Sequence, residues 1–555
     1  MVFSSREDDR TVDMRCAYWG GSERDAVKAQ MPREAPDHID NEPMTRAQWA
    51  VVLGSFASAI VLVNHILPIP DVNDFTGLAQ ICILMERGGL LHAINMNWGF
   101  AHPLLSYVLT LLTHDLLLSQ RILSGVACLA AILCIEHLMR RKLPVHASRT
   151  RMAFLLALIC SPWMLESMVS VHMDIFPIVL TMTAIALIPD ERPRALFVGG
   201  FVVAAGYWFR FHFLIYTVLF VFLVLNYHWR RRGVRKALFA ASGVISGLAI
   251  PSILAITAGK QVGTNIKMQV AYKTRGFSWN VDYLLALEKR SLGDVLRHVD
   301  VAHILANAGI AIVDNGTLLL LLCLFVGLCA MQVRNVGSAT ASSGKKFYRS
   351  ILPLDPNLAL VAFVLTPFLL LTPIRGITLR MQAGVFIIGF AVLAHLFTIH
   401  APRYLAGMVV AILIISISGT PFLMADYHER TATWQDIDRQ VAATIPASVR
   451  HDSPYTVFNL ITDYSNKENR YWMWNPVLTG GWGVLSSSFR DEFGYIDCSK
   501  LESEDFYKKF KYIILPKKPH YSFEKYDRKI MNLANKVVRL KSITILEMSP
   551  PSNTT

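Results

Sequence analysis

Two carboxylates, Asp71 and Asp74, stand in the stretch Pro68-Ile69-Pro70-Asp71-Val72-Asn73-Asp74-Phe75-Thr76-Gly77-Leu78-Ala79, directly after the first long apolar run of the chain. The Pro-x-Pro turn restricts the backbone there, and ionisable groups beside an apolar segment carry a cost that function commonly explains. The chemistry open to such a carboxylate is general-base catalysis, the taking of a proton from a hydroxyl. The alternative is that both are turn and N-cap residues starting the next helix, which Asp favours. Asp174 opens a later apolar run after Val171-His172-Met173. It could face Asp74 across a cavity, positioning an acceptor or holding a divalent cation, Mg or Mn, with Asp74; it too could be an N-cap. Glu166 and His172 would stand behind it.

Positive charge completes this chemistry, because a departing phosphate must be neutralised. Arg87, Arg210 and Arg380 lie at or near the expected outer ends of apolar runs, where orientation rules disfavour Lys and Arg. An anionic partner explains them, and so does snorkelling to lipid headgroups. His102, in the turn Trp98-Gly99-Phe100-Ala101-His102-Pro103, joins His172, Lys273, Arg275, His298 and His303 as candidates for an acceptor or substrate loop. The Tyr471-Trp472-Met473-Trp474 and Gly480-Gly481-Trp482 aromatics read as packing residues rather than a sugar platform.

The elements that must position these groups are membrane helices. Of 555 residues, 53% are hydrophobic and 17% charged, against about 25% charged in an average soluble domain. A span needs about 20 apolar residues, and about 11 such runs are counted. They cover Trp49 to Leu67, Leu116 to Leu138, Met152 to Val169, Ile175 to Ile188, Leu196 to Phe209, Phe211 to Leu225, Ala237 to Ala258, Leu318 to Gln332, Leu358 to Leu371, Leu379 to Phe397 and Tyr404 to Met424. The net charge of +13 sits mainly in short loops, such as Arg140-Arg141-Lys142 and Arg230-Arg231-Arg232. That pattern sets orientation in a bilayer, and no nucleic-acid partner is expected. It places the N-terminus in the cytoplasm and the C-terminus on the periplasmic or extracytoplasmic side, a bacterial inner membrane being the expected setting.

Residues 1–46 are polar and lack periodicity, so they read as a disordered cytoplasmic extension without a cleaved signal. Residues 47–424 form the transmembrane domain, with outer loops at 68–115 and 259–315, and Leu104 to Thr113 is too short to span and is expected along the interface. Residues 425–555 change to strand-like runs at Tyr455 to Ile461, Tyr512 to Leu515 and Val537 to Leu546, with helices at Trp434 to Thr444 and Glu502 to Phe510. A small outer α/β domain is expected there. Among the eight cysteines no CxxC pair suggests zinc, and only Cys82 and Cys498 fall on the expected oxidising side.

On these residues the chain resembles the GT-C membrane glycosyltransferases, the group that includes protein O-mannosyltransferases and aminoarabinose transferases. Asp74-Phe75-Thr76-Gly77-Leu78-Ala79 is similar to the family's Asp-Glu-x-x-Tyr-Ala element, and His102-Pro103-Leu104-Leu105-Ser106-Tyr107 to its His-Pro-Pro-Leu-Tyr run. Gln120-Arg121-Ile122-Leu123-Ser124 is similar to its Arg-Leu-Pro-Ser start of the second span, and Ser161-Pro162-Trp163 through Asp174 to the corner between its third and fourth spans. Arg210 sits where the family often has a basic residue after a Gly-rich fifth span. One departure is Phe75, where the family has Glu.

The resemblance implies a polytopic α-helical GT-C fold and an inverting glycosyltransferase. Its donor would be a polyprenyl-phosphate-linked sugar, its acceptor a glycan, lipid or protein of the cell envelope, and its reactive base Asp74. Two rival readings are a transporter or flippase of lipid-linked sugars and a non-catalytic envelope-assembly protein. A transporter would want ionisable residues near the middle of spans, whereas here they cluster at the ends.

Overall fold

The structure, a computed structural model, describes residues 42–66, 99–141, 147–169, 174–187, 192–210, 234–258, 291–297, 404–446, 457–459, 503–508, 510–516, 524–541 and 543–548. It also describes isolated positions at 78, 82, 85, 145, 213, 214, 216–218, 220, 221, 387, 391, 394, 397 and 398. Most of the expected spans from Phe211 to Leu225 and from Leu318 to Phe397 lie outside the described residues.

The described bundle is helical. Its elements are α1 (Arg46–Ile66), α2 (Ala101–Thr113), α3 (Leu116–Arg141), α4 (Ser148–Ile159), α5 (Pro162–Val169), α6 (Ile175–Leu187), α7 (Pro193–Ala205), α8 (Val234–Ala258), α9 (Leu292–Arg297) and α10 (Leu405–Thr444). Among the described residues α1, α3 and α8 are long and apolar enough to cross a membrane. The chain is read as an integral membrane protein. Outward-facing Val61 and Leu62 on α1, Leu238 and Ile253 on α8, and Ile414 and Ile417 on α10 are more than half exposed. Apolar exposure on that scale suits lipid rather than water.

Local chemistry explains where the helices start and stop. Thr45 and Gln48 form a reciprocal capping box before α1, the Gln48 amide N–H donating to Thr45 Oγ1 and the Thr45 N–H to Gln48 Oε1. The run expected to span from Met152 to Val169 is broken into α4 and α5, bent by 56°. Pro162 cannot continue a helix hydrogen-bond ladder. Ser161 closes one helix and opens the other, its Oγ donating to Leu158 O at 2.6 Å and accepting from Met164 N at 3.2 Å.

Helices α7 and α8 pack backbone against backbone. A Cβ on Gly200 would lie 2.1 Å from Ala240 O, and one on Gly243 2.0 Å from Phe197 O. Small residues allow this approach, which is how helices associate where lipid removes the hydrophobic driving force between them.

Helix α10 differs most from expectation. It continues without a break through Met424 to Thr444, so the helix expected at Trp434 to Thr444 is its last quarter. At 1.5 Å per residue it is about 60 Å long, roughly twice the hydrocarbon thickness of a bilayer. Its far end, Val441 and the following Ile445, is buried in one cluster with Tyr512, Ile514, Ile543 and Ile545 of a small sheet. That sheet has β1 (Val457–Asn459), β2 (Tyr512–Pro516), β3 (Ala534–Arg539) and β4 (Ile543–Met548), accompanied by α11 (Glu504–Tyr507) and α12 (Glu524–Leu533). The order is β1-β2-β4-β3, with β1 and β2 parallel and the other pairs antiparallel. The run Val537 to Leu546, read as one strand, is a hairpin, because Leu540 N bonds Ile543 O at 2.9 Å and turns the chain.

Candidate functional site

The site is built where three separate parts of the chain meet: the turn before α2, the start of α6 and the end of α7. Helix α2 has its polar face inward. His102, Ser106 and Thr110 recur every fourth residue, so they share one face, and His102 and Ser106 are buried while Leu112 is 74% exposed. The hairpin to α3 is closed by His114, whose left-handed backbone (φ 57°) returns its N–H to Thr110 O at 2.8 Å. Asp115 then caps α3, its Oδ1 accepting from Leu117 N and Leu118 N. The hairpin sets Gln120 opposite His102, with His102 Nε2 3.1 Å from Gln120 Oε1.

The turn before α2 is pressed onto the end of α7. Gly99 has φ +66°, and a Cβ there would lie 1.9 Å from Trp208 O. Only glycine accepts both the left-handed backbone and that proximity. Phe100 packs on Trp208 at 5.5 Å between ring centroids, and Trp208 Nε1 donates to Gly247 O of α8 at 2.7 Å. Phe209 stacks on Phe176 of α6 at 5.4 Å, with the rings within 4° of parallel. These aromatic contacts fix the backbone next to Arg210 and Asp174.

Asp174 and Arg210 meet at the centre of this junction, Arg210 Nε lying 2.8 Å from Asp174 Oδ1, with both side chains 5% exposed or less. A buried pair is favourable only when geometry and further bonds offset desolvation, so this one is weak evidence for stability and a candidate for function. Burial, opposed by the hydrogen bond to Gln120 and reinforced by the positive charge of Arg210, pushes His102 down to about 3. The imidazole is therefore neutral at physiological pH, able to donate from one nitrogen and accept at the other.

Of the residues expected to act, Asp174, Arg210 and His102 are brought into one neighbourhood. Asp71, Asp74, Arg87, His172, Lys273, Arg275, His298, His303 and Arg380 lie outside the described residues. So does Cys498, while Cys82 is buried with Leu78, Met85 and Leu116. Gln120 and Ser106 were not singled out as functional, although polar side chains inside apolar helices at helical spacing signal them. Among the described residues no group of three His, Cys, Asp or Glu side chains comes together.

No family model matches the chain, and no curated protein matches it. Two solved structures are similar to it. The crystal structure of ArnT from Cupriavidus metallidurans bound to undecaprenyl phosphate is 12% identical, with a TM-score of 0.53 over 90% of this chain and 98% of that one. The apo structure of the same protein covers the same shares at 12% identity, with a TM-score of 0.42. ArnT is an aminoarabinose transferase, a GT-C glycosyltransferase. At this identity the likeness is one of fold: the chain has the ArnT membrane fold.

Proposed function

We propose that the chain is an inverting GT-C-type glycosyltransferase that takes a sugar from a polyprenyl-phosphate carrier and passes it to a glycan, lipid or protein acceptor on the outer face of the membrane. The observation that carries this reading is the fold shared over 90% of the chain with a protein crystallised with undecaprenyl phosphate. The buried Asp174–Arg210 pair, at the corner where the sequence resemblance expects function, supports it.

In this scheme Asp74, with Asp71 beside it, takes the proton of the acceptor hydroxyl as that oxygen attacks the sugar. Arg210, Arg87 and Arg380 hold the donor phosphate and stabilise the charge that grows on it as the bond to the sugar breaks. Asp174 fixes the direction of the Arg210 guanidinium, whose planar fork suits phosphate oxygens. His102, His172 and the loop residues Lys273, Arg275, His298 and His303 form the acceptor side. A divalent cation, Mg or Mn, would be held by Asp74 with Asp174 and would add positive charge at the departing phosphate. The wider architecture proposed is about 11 spans, with the N-terminus cytoplasmic and the α/β unit of residues 425–555 on the outer side, carried there by α10.

The test is thermal stability of the purified chain in lipid nanodiscs containing undecaprenyl phosphate or, as a control, phosphatidic acid. Selective stabilisation is expected with undecaprenyl phosphate, lost in Arg210→Ala; a ligand at a hundred times its Kd adds about 2.7 kcal/mol. Equal stabilisation by both lipids would remove the proposed donor class.

A further inference from the structure

Three bonds run in series beside the Asp174–Arg210 pair, and together they set where the hydrogens lie. Ser106 Oγ lies 2.7 Å from His102 O, a carbonyl, which can only accept, so the single hydroxyl hydrogen of Ser106 is spent there. The Ser106 oxygen therefore accepts, and Gln120 Nε2 donates to it at 2.5 Å. With its amide nitrogen turned to Ser106, Gln120 turns its oxygen to His102 Nε2 at 3.1 Å. An amide oxygen only accepts, so Nε2 must carry the imidazole hydrogen. Ser106 and Gln120 are buried at 0% and 2% exposure, so water does not compete for these bonds.

We infer that Ser106 and Gln120 are positioning residues that hold His102, on the proposed acceptor side, in its neutral Nε2–H tautomer. The charge of Arg210 acts in the same direction, since a nearby guanidinium disfavours a second proton on the ring. The assignment rests on the hydrogen-bond series alone. The acceptor-side role of His102 rests on the glycosyltransferase reading above.

The test is magnetic resonance of 15N-histidine-labelled protein in lipid, with the His102 signals identified by their loss in His102→Asn. The wild type should show a protonated Nε2 and a bare Nδ1. Ser106→Ala removes the acceptor that holds the amide, so a population protonated at Nδ1 should appear, and Ser106→Thr should restore the wild-type signals. Ser106→Ala combined with Gln120→Glu should keep Nε2 protonated, because a carboxylate can only accept, and should raise the pH at which the ring takes its second proton. A wild-type ring protonated at Nδ1, or an unchanged tautomer in Ser106→Ala, overturns the inference. If the tautomer behaves as stated but acceptor KM is unaltered in Ser106→Ala, where a rise of about three- to tenfold is expected from one lost hydrogen bond, the acceptor-side role alone fails. Absence of undecaprenyl phosphate selectivity would fail the function reading and leave the tautomer standing.

Discussion

Helix α3 has a buried polar cluster near each end, Gln120 marking one and Glu136 the other, about 24 Å apart along the axis. At the Glu136 end, fully buried Arg151 donates to the carbonyls of Val145 and Glu42 and lies 3.7 Å from Glu136, which Arg140 approaches at 4.0 Å. Gln48 and Glu42 complete the cluster through Ser148. These partners are backbone carbonyls and helix ends, so the cluster ties residues 42–48 to the α3–α4 turn. At the Gln120 end the partners are side chains from three distant segments, one of them a neutral histidine. The lesson is that burial and charge alone do not mark an active site: one cluster splices the chain, and the other assembles groups whose protonation and direction are controlled.

The largest test of this distinction lies in Asp74. Asp74→Asn keeps the size and can still cap a helix, so the protein should fold with its melting temperature little altered. Loss of general-base help costs about 10²–10⁴-fold in rate, read as sugar transfer from a polyprenyl-phosphate donor. Near wild-type transfer in Asp74→Asn, with Asp71→Asn or Asp174→Asn inactive, would move the base; activity in all three would end the enzyme reading.

The two ends can be set against each other by replacing each ion pair. Removing one partner of a buried pair costs about 3–5 kcal/mol, whereas replacing both by apolar residues can be nearly neutral. Arg151→Met should therefore destabilise strongly, and Glu136→Leu with Arg151→Met should recover most of the loss together with full activity. Asp174→Leu with Arg210→Met should likewise recover stability but stay inactive. Activity in that second pair would place Asp174–Arg210 with the splice rather than the site. Melting temperature and transfer rate, measured on the same samples, separate these outcomes.

Acid should affect the Gln120 end through His102. Its folded-state pKa, about 3, lies below the ordinary histidine value of 6.5. The unfolded chain thus binds more protons between these values, so the stability held by the neutral ring is complete above pH 6.5 and is lost as pH falls toward 3. His102→Asn should flatten the dependence of unfolding free energy on pH, by a few kcal/mol or less between pH 6.5 and 4. An identical slope in wild type and variant would show that the ring charges without cost.

Much of this was legible in the sequence because it is local. The onset of α3 follows from the apolar run after Asp115, whereas the α4–α5 break inside the expected Met152 to Val169 span had an unused local signal in Ser161-Pro162. The pairing of Asp174 with Arg210 joins α6 to the end of α7 through tertiary packing, and no local pattern encodes it. Continuation of α10 past Met424 was missed because the composition turns polar there. The helix is carried onward by the apolar positions Val441 and Ile445 that bury against the sheet. The close approach of α7 and α8 had an unused signal in Gly243-x-x-x-Gly247, the spacing that lets membrane helices touch.

The smallest effect expected is also the sharpest control, since it contrasts two glycines. Gly99→Ala, at the Gln120 end, must place a methyl group 1.9 Å from Trp208 O at a left-handed φ. Strain of about 1–3 kcal/mol, or a shifted α2 that takes His102 with it, should follow, with transfer falling more than stability. Gly125 lies on α3 between the two clusters, and a methyl group there meets only Ile60 Cδ1, at 3.5 Å. That is ordinary contact, so Gly125→Ala should gain the helix propensity of alanine, about 0.5–1 kcal/mol. A modest rise in melting temperature with unaltered transfer is expected. A fall would mean that α3 needs flexibility at this point, and that its two ends are coupled rather than independent.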